Sequence, residues 1–337
     1  MYHKEMNKTL SEKLTAANVL LTLLIILLHS TWKDTRFSAL WTITDLAVPC
    51  FFFISSFLYF IKWEPTLKCY LKKTKDRIKS LLVPLVLFNM LAWTYYHITT
   101  NMLSLWPSKS PPPVKIDDII VYIWHSEGDA PLWFLSTLFQ FALIAPIIGW
   151  VMKKSRYSIF LAIVCGFITH ELPYTHVLFW LPCLLLATWC ALWLPFISPK
   201  IVQLRSFIPH GLAAMIGIAL ISMFCILFWN VSDRSHNNLY YLYRMLAPLF
   251  LGLVFMDYNC IPIKWAKQLS AFTVYAYGTH FIIIELLKVA VRFSPVNSFI
   301  IQYLFIIVFT CVIIYLSGTL LKKIHIVWYW LNGCRSK

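Results

Sequence analysis

Residues 299–321 read FIIQYLFIIVFTCVIIYLSGTLL, a run without a single charged side chain. Such a stretch matches the roughly 20 apolar residues that cross the hydrocarbon of a bilayer as a helix. Working outward from it, nine further apolar windows appear, at about 14–32, 40–61, 80–99, 131–152, 157–171, 176–197, 208–229, 239–257 and 270–291. The fifth of the ten, 157–171, is the shortest of the set. Composition agrees, because 60% of the 337 residues are hydrophobic and 13% are charged, against about 25% charged in soluble domains. One soluble core cannot hide that surplus, so it must face lipid. Only 9 Gly in the chain argue against a Gly-rich nucleotide fold. The expectation is an all-α, polytopic transmembrane helical bundle of about ten spanning helices, forming one domain over residues 1–337. Residues 19–28 look like the apolar core of a signal peptide, but His29 follows directly and no small-residue cleavage site appears. The segment therefore reads as a retained first helix.

The net charge of +15 is explained by topology rather than by nucleic acid. With ten spans and an inside N-terminus, the inner segments hold 21 of the 29 Lys and Arg and the outer loops hold 6. The bias places both termini in the cytoplasm. The outer six are Lys33, Arg36, Lys109, Lys115, Arg234 and Arg292. The basic stretch 62–79 has two readings. It is an interfacial segment held by anionic lipid, or a patch for a phosphorylated cytoplasmic donor. The outer loop 100–130 carries a stiff Ser110–Pro113 turn and an amphipathic stretch from Val114 to Trp124, which either covers a substrate site or merely connects. Nine Cys without a CxxC pair read as small apolar packing residues.

Ionisable side chains inside spans are costly and usually functional. Here they are His29, Asp45, Arg244, His280, Glu285 and Lys288. Counted from the span ends at roughly 1.5 Å per residue, most lie within about 10 Å of the outer hydrocarbon boundary. Each has a bland reading: Glu285 with Lys288 as an i,i+3 pair, Arg244 with Asp45 as a structural pair, His280 as a hydrogen-bonded interior residue, His29 in the headgroup zone. Together they supply the groups for acyl transfer to a hydroxyl. A neutral His takes the hydroxyl proton, a carboxylate orients it, and an Arg or second His stabilises the oxyanion. That assigns His29, Asp45, Arg244 and His280 as the catalytic candidates. Metal chemistry has no support, since neither HxxxH nor HExxH occurs, and no GxSxG marks a serine nucleophile. Asn230-Val231-Ser232 is a formal glycosylation sequon with meaning only in a eukaryotic secretory setting.

Several of these segments resemble the acyltransferase-3 family of bacterial membrane O-acyltransferases, especially its enterobacterial common antigen and fucose O-acetylase-like branch. Leu24–His29 is similar to the family's first helix ending in His. Val48-Pro49-Cys50-Phe51-Phe52-Phe53-Ile54-Ser55-Ser56-Phe57-Leu58 resembles its Val-Pro-x-Phe-Phe-Phe-x-Ser-Gly-Phe-Leu pattern, with Ser56 in place of Gly. Arg77–Pro84 resembles its basic entrance to the third helix, Pro131–Leu135 its Leu-Trp-Phe-Leu helix start, and Tyr277–His280 its late Tyr-x-x-His element. The resemblance implies His29 as catalytic base and acetyl transfer from cytoplasmic acetyl-CoA to a glycan or lipid-linked sugar. It implies a multi-pass protein of the bacterial inner membrane with no resident cofactor. The donor-binding set is then Lys73, Arg77, Lys79 and Asn18, the last standing where the family has an Arg eleven residues before the His. Ser80 stands where a second Arg is common. Two other readings stay open. One is a transporter of small molecules or glycan intermediates, with Pro49, Pro84, Pro146, Pro182 and Pro248 as kinks. The other is an inactive relative that recognises a sugar.

Overall fold

The computed structural model describes residues 2–31, 38–61, 63–102, 112–206, 209–229, 231, 237–258, 261–295 and 298–334. The side chains of 2–9, 38, 39, 101, 102 and 194–206 are outside the description. Lys33, Arg36, Lys62, Lys109, Ser110, Pro111, Asn230, Ser232, Arg234, Arg335 and Lys337 therefore lie outside the described residues. So do the side chains of Lys4, Lys8, Lys200 and Arg205.

The chain is all-helical among the described residues. In order the helices are α1 (Tyr2–Ser30), α2 (Ser38–Thr44), α3 (Ala47–Phe60), α4 (Leu67–Arg77), α5 (Val83–Tyr96), α6 (Ile116–His125), α7 (Trp133–Lys153) and α8 (Ile159–Thr169). Then come α9 (Leu181–Ser206), α10 (Leu212–Leu227), α11 (Asn238–Asp257), α12 (Ile263–Ser270), α13 (Thr273–Arg292), α14 (Phe299–Lys322) and α15 (His325–Leu331). Among the described residues, seven helical runs are long and apolar enough to cross a membrane: Leu10–Ser30, Leu40–Phe60, Leu67–Thr100, Ala130–Lys153, Asn238–Asp257, Thr273–Arg292 and Phe299–Lys322. Three shorter apolar helices, Arg156–Thr169, Val177–Trp193 and Leu212–Leu227, occupy the remaining expected windows. The protein is a multi-pass, all-α membrane protein.

Helix α14 shows why lipid is needed. Ile300, Leu304, Val308, Val312, Leu316 and Leu320 recur every four residues and are all exposed. The opposite stripe of Tyr303, Ile306, Thr310, Ile314 and Gly318 is buried. An apolar stripe of that length left to water is what soluble monomers avoid. Gly318 sits where a Cβ would meet the Phe272 ring at 2.8 Å.

Two places differ from the sequence expectation. The second span is broken between α2 and α3 at Asp45 and Leu46. The cause is Pro49, which has no N–H to return to the Asp45 carbonyl four residues back and whose ring crowds that carbonyl. The basic stretch expected as a loop is helical from Leu67 and runs through a π-helical turn, Ile78–Leu82, into α5. Pro84 plays the same part there, sparing the Ser80 carbonyl from a helical bond.

The chain forms two compact units. The first comprises Met1–Lys73 and Phe141–Ser270, the second Thr74–Gln140 and Ala271–Lys337. In the first, α10 lies close on α11 because Gly217 has no Cβ, which would stand 2.6 Å from the Phe250 carbonyl oxygen. Phe52 of α3 stacks on Trp180 at 4.9 Å, and the Cys183 thiol donates to the Pro49 carbonyl at 3.2 Å. In the second, α13 packs against α5 and α14. Gly278 admits the Phe88 ring so closely that a Cβ would stand 2.1 Å from it.

Candidate functional site

In the first unit the break at Asp45 is held by one face of α11. Asn237 starts that helix by accepting the N–H groups of Leu239 and Tyr240 on its side-chain oxygen, both at 3.0 Å, as an N-cap does. Residues 240, 243 and 244 then share a face by helical spacing. The Tyr240 hydroxyl donates to Asp45 Oδ2 at 2.8 Å. Arg244 donates to the same oxygen from Nε and Nη2, each at 2.8 Å. The Tyr243 hydroxyl donates to the Thr42 carbonyl at 2.6 Å. Asp45 and Arg244 are 16% and 15% exposed, so the pair is largely withdrawn from solvent. The Arg244 guanidinium also lies 4.9 Å from the centre of the Tyr240 ring.

His29 is half-buried in the last turn of α1. That end of α1 is fastened to α2, since Trp41 Nε1 donates to Thr31 Oγ1 at 3.0 Å. His29 and Asp45 are thus carried by elements tied to each other within one unit. The structure brings Asp45 and Arg244 into direct contact, as the paired reading of those residues expected.

An apolar cavity of about 250 Å³ also belongs to this unit. Its walls are Leu10, Leu14, Ala17, Cys50, Phe53, Pro248 and Phe255, with Lys13 among them. Lys13 donates to the carbonyls of Phe255 at 2.7 Å and Met256 at 3.0 Å, answering the carbonyl end of α11. Asn18 is half-buried one turn further along α1, and its carbonyl accepts from Thr22. Lys73 donates to the Tyr59 carbonyl in the last turn of α3, so it serves as a helix-end partner.

His280 belongs to the second unit, as do Arg77 and Lys79. Arg77 is half-exposed and Lys79 exposed, on a helix with no buried side chain among residues 67–77. His280 is fully buried in α13. Its Nδ1 lies 2.8 Å from the Tyr277 carbonyl and 3.1 Å from that of Ala276. Carbonyls only accept, so Nδ1 carries the proton and Nε2 of the neutral ring is the accepting atom. Glu285 and Lys288 form the expected i,i+3 pair at 3.4 Å.

The second unit holds a polar group that reading the sequence missed. Asp129, just ahead of the span beginning at Ala130, is 0% exposed, and neither carboxylate oxygen has a hydrogen-bond partner among the described residues. Burial alone raises its carboxyl well above the usual carboxylate range. Asn89, on α5, is also fully buried. Its Nδ2 donates to the Leu85 carbonyl at 2.9 Å and reaches Ser126 Oγ at 3.5 Å, while its Oδ1 receives nothing among the described residues. The Tyr122 hydroxyl rests against Gly128, where a Cβ would be 2.6 Å away. Its pKa is pushed up to about 12 by burial, with Glu127 and Asp129 adding to the shift. A survey of ionisable groups inside spans passes over both residues: Asp129 lies two residues before the window 131–152, and Asn is not ionisable.

Among the described residues no cluster of three or more His, Cys, Asp or Glu could hold a metal ion. A family model described as an acyltransferase domain matches residues 13–319. No curated protein and no solved structure matches the chain.

Proposed function

The chain belongs to the acyltransferase-domain family, and on that premise we propose that it is a membrane-bound O-acetyltransferase. It moves an acetyl group from cytoplasmic acetyl-CoA to a hydroxyl of a cell-surface polysaccharide or lipid-linked sugar. The observation that carries the reading is that the family match spans the half-buried His29, the buried Asp45–Arg244 pair and the buried His280 together. The positive-inside bias supports an orientation with both termini in the cytoplasm, and the likeness to bacterial O-acyltransferases supports the cytoplasmic membrane as its place.

His29, as neutral imidazole, accepts the proton of the acceptor hydroxyl while the oxygen attacks the thioester carbonyl. The tetrahedral intermediate collapses to the ester and expels the CoA sulfur, which takes the proton back from the imidazolium. Arg244 has five N–H donors and commits two to Asp45, and the rest of the guanidinium is suited to the developing oxyanion. Asp45 fixes that guanidinium in place. In the second unit His280 is itself a neutral imidazole with Nε2 as its accepting atom. On the donor side, Arg77 and Lys79 offer positive charge to the phosphates of acetyl-CoA.

The test is acetyl transfer from labelled acetyl-CoA to the host glycan in membranes holding the parent or His29→Ala. The variant is expected to lose transfer at an unchanged protein level. Full acetylation by His29→Ala removes the assignment of that residue as the base.

A further inference from the structure

Buried acceptor oxygens are almost always given donors. Within the second unit, Asp129 and Asn89 between them present three that are not, counting the described residues. Asp129 stands at the N-cap of the Ala130–Leu132 turn, where an Asp normally accepts a helical N–H, yet its side chain makes no such bond. One reason is at hand: Pro131 occupies an early helical position and has no N–H to offer. A capping role is therefore not what keeps a carboxylate there.

The loop that delivers Asp129 is itself costly. Ser126 ends α6 in the left-handed region at φ 56°, a conformation that usually falls to Gly. It is buried, and its hydroxyl is the one Asn89 reaches. Strain of that kind persists where the surroundings over-determine it, often at binding sites. Asp129 has Tyr96, Tyr122 and Tyr277 for neighbours, the Tyr122 hydroxyl resting against Gly128 one residue before it. Those tyrosines come from three helices, α5, α6 and α13. The Tyr277 hydroxyl is itself directed to the Pro131 carbonyl at 2.5 Å, two residues from Asp129.

A carboxylate and a carboxamide oxygen without donors, in the company of aromatic rings, match one ligand chemistry well. A pyranose offers adjacent hydroxyls that donate to such oxygens and apolar ring faces that lie on aromatic side chains. A metal ion is a poorer match, because Asp129 is the only carboxylate among these residues and no metal-binding cluster occurs among the described residues.

We propose that Asp129 and Asn89, with Tyr96, Tyr122 and Tyr277 around them, form a hydroxyl-recognition subsite for a sugar. The subsite deepens the O-acetyltransferase reading and rests on it for the identity of its ligand as the acyl acceptor. Ser126 holds Asn89 in register as a positioning residue. Under the ten-span, positive-inside orientation residue 129 falls in an outer loop, the side that faces a surface glycan.

The experiment uses the full chain in lipid nanodiscs without any acyl donor. Saturation-transfer NMR measures binding of a panel of methyl hexopyranosides and methyl 6-deoxyhexopyranosides to the parent, Asp129→Asn and Asn89→Leu. At least one glycoside is expected to bind the parent and to bind each variant about tenfold more weakly, the loss expected for one missing hydrogen bond in a buried site. The unfolding midpoint of Asp129→Asn is expected to equal or exceed that of the parent, because the carboxyl has no hydrogen-bond partner among the described residues to lose and the carboxamide cannot ionise in the buried site. A parent that binds none of the glycosides overturns the subsite, and so do equal affinities in parent and variants. Asp129→Leu serves as a second variant, and if it and Asp129→Asn both lower the midpoint sharply, the residue is structural and the proposal fails. Acetyl transfer on the same preparations separates the two readings. Binding without transfer by the parent sinks the enzymatic reading alone, and undiminished transfer by Asp129→Asn sinks the subsite alone.

Discussion

Replacing Asp45 by Leu leaves the Arg244 guanidinium, in the second turn of α11, without the oxygen that accepts its Nε–H and Nη2–H at 2.8 Å. Removing one partner of a buried pair costs about 3–5 kcal/mol, mostly from the charge left behind. Both side chains keep about one-sixth of their exposure, so the low end applies and the expected loss is about 3 kcal/mol. Arg244→Met strands the carboxylate at the broken helix and costs a similar amount. The double variant Asp45→Leu/Arg244→Met replaces the pair by apolar groups of similar volume and is expected within about 1 kcal/mol of the parent. Tyr240 loses its acceptor in both Asp45 variants, so that contribution cancels between them. Equilibrium unfolding of the four proteins in mixed micelles gives the double-mutant cycle. Single losses that add to the double loss within about 0.5 kcal/mol would show that the two residues do not depend on each other, and would refute the claim that α11 holds the broken span through this pair. Activity then separates structure from chemistry. If the guanidinium stabilises the oxyanion, the double variant folds but transfers no acetyl group. Parent-like transfer by that variant would confine the pair to holding α2 and α3 in place.

Two further outcomes follow from the second unit. Gly278→Ala places a Cβ about one bond length too close to the Phe88 ring; it is expected to cost about 1–3 kcal/mol, with Phe88→Leu recovering much of the loss in the double variant, and a neutral Gly278→Ala would show that α5 and α13 are not held that closely. Asp129 gives stability a pH dependence whose sign is fixed by the direction of its shift. Its folded-state pKa lies above the ordinary value of about 3.9, so the folded protein keeps a proton that the unfolded chain releases. Stability is then fullest below the ordinary value and falls as pH rises towards the raised one. Thermal unfolding from about pH 4 to about pH 8 should show that decline in the parent and a flatter profile in Asp129→Asn, and equal slopes in the two would remove the assignment.

The apolar runs were legible because each is set by its own composition: a helix in lipid satisfies its backbone internally, wherever its neighbours lie. The same locality made the Glu285–Lys288 pair legible, since spacing along one helix fixes which side chains meet. Asp45 and Arg244 were legible at one remove, because depth within a span can be counted from its end and two opposite charges at like depth tend to find each other. What depth does not give is direction around the helix. The Tyr240–Tyr243–Arg244 face shows this, because its target is a backbone break whose cause, Pro49, lies four residues past Asp45. Lys73 shows it too: the resemblance implied a place for it in the donor-binding set, and nothing in the sequence announced that its ammonium also donates to the Tyr59 carbonyl at the end of α3. Asp129 was hidden for a different reason. A carboxylate at the start of a span reads as a solvated loop residue or a helix cap, and both readings assume a donor that Pro131 withholds and water that burial excludes. A polar group's cost depends on what surrounds it in space, so the groups whose cost goes unmet are those that sequence order hides best. In this chain they are also the groups with most to gain from a ligand.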